Sequence, residues 1–147
     1  MARLDVLDTT VQKTHEWLRD IKEELGFDSD RAAYAALRAT LHALRDLLTT
    51  DQVALLGAQL PMLVRGIYYE GWNPPLPGRR ERDGFLDDIR RELRDHQELS
   101  DPARVACVVF GVIGMHITAG EVEKIVRSLP REVRTLWPLS SRIDAAR

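Results

Sequence analysis

A chain of 147 residues, 44% hydrophobic and 30% charged, has the size and composition of one globular domain with a proper core. A formal net charge of −2 excludes a bulk attraction to nucleic acid or acidic membranes. The single cysteine, Cys107, excludes an internal disulfide.

The first ten residues carry Asp5 and Asp8 and no apolar run, so they do not read as a secretion signal, and a cytoplasmic location is the default expectation. Helical pattern begins near Thr9 and runs to about Leu25. Val11, His15, Leu18, Ile21 and Leu25 share one face, and Gly26 supplies a stop. Asp28-Ser29-Asp30 caps a second helix, expected to reach about Leu48. Its apolar line is Tyr34, Leu37, Leu41, Leu44 and Leu48, and alanines at 32, 33, 35, 36 and 39 permit close approach by a neighbour. Arg38, His42, Arg45 and Asp46 give this helix a face expected to meet water.

Thr49 and Gln52 fit a capping box for a short third helix. Leu60-Pro61 ends it, because proline has no N–H and disfavours helical geometry in the residue before it. Proline also starts helices well, so a fourth runs from Pro61 to about Tyr69. The stretch 71–78, GWNPPLPG, is a stiff connector. Pattern resumes near Asp83, with Phe85, Leu86, Ile89 and Leu93 inward. Ser100-Asp101-Pro102 then opens a helix through 105–115, VACVVFGVIGM. A helix apolar all round is expected to be buried, and its length of about 16 Å is too short for a bilayer. Cys107 lies within it and reads as a small hydrophobe. Thr118 and Glu121 suggest another capping box, Leu129-Pro130 another break, and residues 140–147 a frayed tail.

The punctuation recurs. A shift of 69 residues brings Leu41, Leu44 and Leu48 onto Phe110, Ile113 and Ile117. It also brings Thr49 onto Thr118, Leu60-Pro61 onto Leu129-Pro130, Arg65 onto Arg134 and Tyr68 onto Trp137. Upstream a shift of 68 pairs Trp17-Leu18 with Phe85-Leu86. The expected fold is therefore all-α: one compact domain over 1–147, a bundle of about eight helices built from two tandem pseudo-symmetric four-helix repeats. The repeats cover about 9–72 and 83–138, joined by a Pro-rich connector at about 71–82 and followed by a tail at 139–147. The second repeat is expected to supply the middle, with the first partly wrapped around it. Alternatively, the extra apolar face of 105–115, with Gly111 and Gly114, meets a second subunit, so the chain is a monomer or a homodimer.

Chemistry-bearing motifs are scarce. There is no G-x-S-x-G, H-E-x-x-H, C-x-x-C or phosphate-binding glycine loop, and no catalytic residue is assigned. Asp20/Glu24 and Asp88/Glu92 repeat a carboxylate pair, but flanking Arg and Lys mark a salt-bridged exterior, and no metal site is assigned. Only three of the 21 basic residues are lysines. The arginines alternate with acids, as in Arg79-Arg80-Glu81-Arg82-Asp83, a self-paired surface that gives no specific nucleic-acid partner. Arg65 and Arg134 each follow a Leu-Pro break, where each can reach back to unpartnered carbonyls; the rival reading is one anion or partner contact per repeat. Tyr68, Tyr69 and Trp72 either cap the core or form an exposed anchor. His42 and His116 sit on helices beside apolar residues, a setting that usually holds a satisfied core or boundary histidine.

Together TVQKTHEWLRDI, AYAALRATLHALRDLL, AQLPMLVRGIYYEGWNP and SLPREVRTLWP resemble the bacterial family known as domain of unknown function 2267, from about Thr10 to Pro138. The most specific stretch is 59–72, Q-L-P-x-x-x-R-G-x-Y-Y-E-G-W. The resemblance implies a small all-helical bacterial protein and brings no catalytic residues.

The reading favoured is a non-enzymatic interaction or regulatory module without a cofactor, working through a protein partner or self-association. Its candidate contacts are Arg65, Tyr68, Tyr69, Trp72, Arg134 and Trp137. The alternative is a helical domain holding haem or another apolar ligand between the repeats, with His42 or His116 as ligand.

Overall fold

A computed structural model describes residues 4–74 and 82–138, with only the backbone described at 82 and 83. The connector residues 75–81, with the Arg79-Arg80-Glu81 run, lie outside the described residues, as does the tail from 139. Among the described residues the fold is all-α. Its elements are α1 (Asp5–Leu25), α2 (Asp30–Arg45), α3 (Thr50–Gln59), α4 (Met62–Tyr69), α5 (Arg82–Glu92), a 3-10 turn (Gln97–Leu99), α6 (Pro102–His116), α7 (Ala119–Ser128) and α8 (Arg131–Arg134). No helix among them is long and apolar enough to cross a membrane.

Most boundaries follow the local signals. Gly26 ends α1 at φ +80°, in the left-handed region that glycine enters freely, and its N–H closes on Lys22. The Ser29 hydroxyl accepts the Ala32 N–H and caps α2. At α3 the capping box is complete: Thr49 Oγ1 accepts the Gln52 N–H, and the Gln52 side chain accepts the Thr49 N–H. Asp101 caps α6, with Pro102 in its first turn. At both Leu-Pro breaks the leucine and the proline are extended, so the next helix begins one residue after the proline.

Several expectations are corrected. The helix α1 starts four residues earlier than Thr9, and its inner face is rotated. Thr10 and Thr14 are buried while Val11 points out, because the Thr14 hydroxyl donates to the Thr10 carbonyl and so satisfies itself within the helix. Tyr34 is exposed rather than inward. Thr118 makes no side-chain cap bond to α7.

The largest correction concerns the centre. It is α2, not α6, that is most enclosed: eleven of its sixteen residues are buried, against seven of fifteen in α6. The alanine face explains this. Ala32, Ala33, Ala36, Ala39 and Ala43 are all buried, and their small side chains let α1, α4, α5 and α6 close in around α2. The opposite side of α6 reaches the surface at Cys107 and Met115, so Cys107 is exposed and not a core residue. Trp17, Phe85, Phe110, Leu37, Leu41 and Ile89 fill one continuous core, with Phe110 stacked between Phe85 and Trp137.

Candidate functional site

The polar side of α2 is enclosed by acceptors. His42 is 6% exposed, with Nε2 2.7 Å from the Ile67 carbonyl and Nδ1 3.2 Å from Glu92. A carbonyl only accepts, so Nε2 carries the proton there. One turn away, Arg45 Nη1 donates to the Tyr68 and Glu70 carbonyls at 3.0 and 2.9 Å, and its Nε donates to Asp46. Arg38 bridges Glu70 and Glu92. This side of α2 was expected to meet water. Arg38 and Asp46 do reach solvent, but His42 and Arg45 are buried and tie down the C-terminal carbonyls of α4, the groups a helix cannot satisfy by itself. Arg38 holds the Glu70 carboxyl below its usual range, and Glu70 raises the Arg38 guanidinium in turn.

Arg65 and Arg134 both turn back onto the Leu-Pro breaks. Arg65 Nε donates to the Gly57 carbonyl at 2.7 Å and Nη2 to Leu60 at 2.9 Å. Arg134 Nη2 reaches the Arg127 and Leu129 carbonyls at 3.3 and 3.2 Å. The same arginine thus caps the end of the preceding short helix in both halves, more tightly in the first.

The aromatic candidates line the inside of the same joint. Tyr68 is fully buried, and its hydroxyl donates to the Val53 carbonyl at 3.0 Å. Burial pushes its phenol well above the ordinary value of 10.0. The Tyr69 ring lies directly on Gly57, where a Cβ would come within 2.9 Å of ring carbons. Trp72 leans on Tyr69, with ring centres 5.6 Å apart. Trp137 is 1% exposed and stacked on Phe110 at 4.4 Å. Arg65, Tyr68, Tyr69 and Trp72 therefore meet around α3 and α4, while Arg134 and Trp137 sit apart on and after α8. Of these four candidate rings, only Tyr69 and Trp72 reach solvent, and only in part.

His116, the last residue of α6, pairs with Asp20 of α1 at 2.8 Å and stacks on Trp17 at 4.9 Å. Beside it opens a cleft of about 250 Å3, walled by Lys13, Glu16, Gln59 and Pro61. Taking an iron atom would require His42 to surrender one of its two bonds, and His116 either to use its remaining nitrogen or to leave Asp20. The groove between α3 and α7, lined by Leu48, Leu55 and Ile125, has only about 30 Å3 of free space. No group of three or more potential metal ligands is present among the described residues.

The surface that sequence reasoning passed over is the start of α1. Leu4, Val6, Leu7 and Val11 are exposed, the first at 64%, and Met62 and Leu63 of α4 join them. Thr10 lies among them on the helix, and its hydroxyl accepts the Leu63 N–H at 2.9 Å, which fixes α4 against α1 there. A cleft of about 300 Å3 separates Val6 from Pro61 and Met62. The spacing of Leu4, Leu7 and Val11 is that of one helix face, and this was the available signal.

The family model described as "Uncharacterized conserved protein (DUF2267)" matches residues 14–136. The chain belongs to the DUF2267 family. A comparison with curated proteins finds no match. The DUF2267 match takes in α2 to α7 entire and both capping arginines, and it begins after the exposed first turns of α1.

Proposed function

We propose that this DUF2267 protein is a non-enzymatic interaction module that binds a protein partner through the corner formed by the first turns of α1 and the start of α4. One observation carries the reading. Among the described residues, six of the nine large exposed hydrophobics, Leu4, Val6, Leu7, Val11, Met62 and Leu63, belong to this corner. Single exposed apolar residues are ordinary, but six gathered around one corner of the fold favour a contact surface there. The polar candidates elsewhere are already engaged: Arg65, Arg134, His42 and Arg45 bond to carbonyls of their own chain. In this reading the arginines and the buried rings Tyr68 and Trp137 hold the scaffold. Tyr69, at the end of α4, packs on Gly57 of α3, and Trp72 leans on it, so the two rings fix α4 against α3.

The test is affinity capture with the wild type and with a Leu7→Asp, Val11→Asp, Leu63→Asp triple variant. All three side chains are exposed, so the variant is expected to match the wild type in helical content and unfolding temperature. The wild type is expected to retain a specific partner that the variant loses. Retention of the same partners by both would overturn the proposal.

A further inference from the structure

Two short helix pairs are joined alike but fastened unequally. In the first, α4 follows α3 across Leu60-Pro61; in the second, α8 follows α7 across Leu129-Pro130. Each second helix buries a valine completely, Val64 in α4 and Val133 in α8. Their polar anchoring differs. Four hydrogen bonds tie α4 and the residue after it to α1 and α2. Thr10 accepts the Leu63 N–H, His42 donates to the Ile67 carbonyl, and Arg45 donates to those of Tyr68 and Glu70. Among the described residues, every hydrogen bond made by 131–138 stays within 127–137. No polar contact there reaches α1, α2, α5 or α6.

The same segment carries two buried donors with no partner among the described residues, the Arg134 Nε–H and the Trp137 indole N–H. In the first pair the corresponding groups are satisfied: Arg65 Nε donates to the Gly57 carbonyl and the Tyr68 hydroxyl to that of Val53. A buried donor without an acceptor bears its desolvation cost in full. The entry also differs, since Thr49 closes a complete capping box on α3 while Thr118 makes no cap bond to α7. What holds α8 to the body is apolar contact. Trp137 stacks on Phe110 at 4.4 Å, and Pro138 lies over Gly111 of α6.

We propose that α8 and the residues up to Pro138 form a plug that leaves the body as one unit while α1 to α6 stay folded, opening an apolar seat on α6 at Phe110 and Gly111. Release of the plug costs apolar burial, but it brings water to the Arg134 and Trp137 donors, and that offsets part of the loss. Release of α4 has no such compensation. It would strip the Ile67, Tyr68 and Glu70 carbonyls from His42 and Arg45, two side chains buried on α2. The seat is the ring face of Phe110 that Trp137 covers, together with the bare backbone at Gly111. The plug does not rest on the interaction-module reading, because it holds whether or not the α1–α4 corner binds a partner.

Thiol labelling of two matched variants of the full chain tests this, Val64→Cys and Val133→Cys, each in a Cys107→Ser background. A buried thiol reacts only when its surroundings open. The thiol at position 133 is expected to react at least about tenfold faster than the one at position 64. Its rate is expected to rise little in mild urea, because a small unit exposes little surface. The thiol at position 64 is expected to follow global unfolding and to accelerate steeply. Native-state hydrogen exchange of the unmodified chain is the second measurement: amides of 133–137 are expected to exchange together and ahead of those of 64–69. Equal labelling rates, an equally steep urea dependence at both positions, or α8 amides as slow as those of α4 would each overturn the proposal.

Discussion

Arg65 and Tyr69 meet on one glycine. The guanidinium takes the Gly57 carbonyl, and the tyrosine ring covers the place where a side chain would stand. Gly57→Ala forces a methyl group into that ring. The expected cost is about 1–3 kcal/mol, the usual range for overpacking a fitted contact. A double-mutant cycle separates this from a change in helix propensity, since alanine is intrinsically the better helix former. In a Tyr69→Ala background the penalty is expected to vanish, with urea unfolding as the readout. An equal penalty in both backgrounds would refute the contact. The sequence singled out both, Tyr69 as one of three rings that either cap the core or anchor a partner, but it gave a specific bonding role only to the arginine. Its distance from a Leu-Pro break recurs at Arg134, and a proline break always leaves carbonyls to satisfy. Gly57 and Tyr69 carry no such mark: under the same shift they fall on Val126 and Pro138.

At the scale of the helix, α2 shows what sequence pattern conveys and what it leaves out. Its alanines announced a close neighbour, and four helices surround it. Its polar residues announced water, and that inference failed at Arg45; at His42 the other expectation holds, a buried histidine with both nitrogens partnered. A side chain's polarity shows that it needs partners, not whether solvent or protein provides them. Here the partners lie 23 to 50 residues away, in the last turn of α4 and at the end of α5. The converse failure is α6, where apolar sequence did not mean full enclosure: Met115 is 62% exposed. The ion pairs around these helices also contribute to the acid limb of stability. The Glu70 carboxyl lies below its ordinary 4.5 because of Arg38, and that of Asp30 below 3.8 because of Lys22. A carboxyl with a lower pKa folded than unfolded stabilises the fold fully above the unfolded value. That contribution disappears as pH falls through the folded one. The unfolding temperature is therefore expected to drop from about pH 5 downward, and Glu70→Gln to make the decline shallower. Parallel curves for the two proteins would show that Glu70 contributes nothing to it. Both acids are exposed, so salt is expected to weaken the effect.

For the whole molecule, the shift of the centre from α6 to α2 has a consequence for how the structure opens. Local opening follows burial and contact, so the most enclosed helix is the last to expose its amides. The middle of α2, from Leu37 to Leu44, consists almost entirely of buried residues gathered from every side. The first turns of α1 present Leu4, Val6 and Leu7 to solvent and have no side-chain cap at their start. Native-state hydrogen exchange is expected to show α2 amides opening only with global unfolding, α6 amides somewhat earlier, and the first two turns of α1 earliest. Slower exchange in α6 than in α2 would restore the sequence-based picture of a greasy central helix. The ordering also bears on function. Under the proposed function, a docking corner on turns expected to open early can adjust to a partner without disturbing the core, while the Thr10–Leu63 bond keeps α4 in register beside it. Capture of the partner is then expected to protect the α1 amides selectively and leave α2 unchanged.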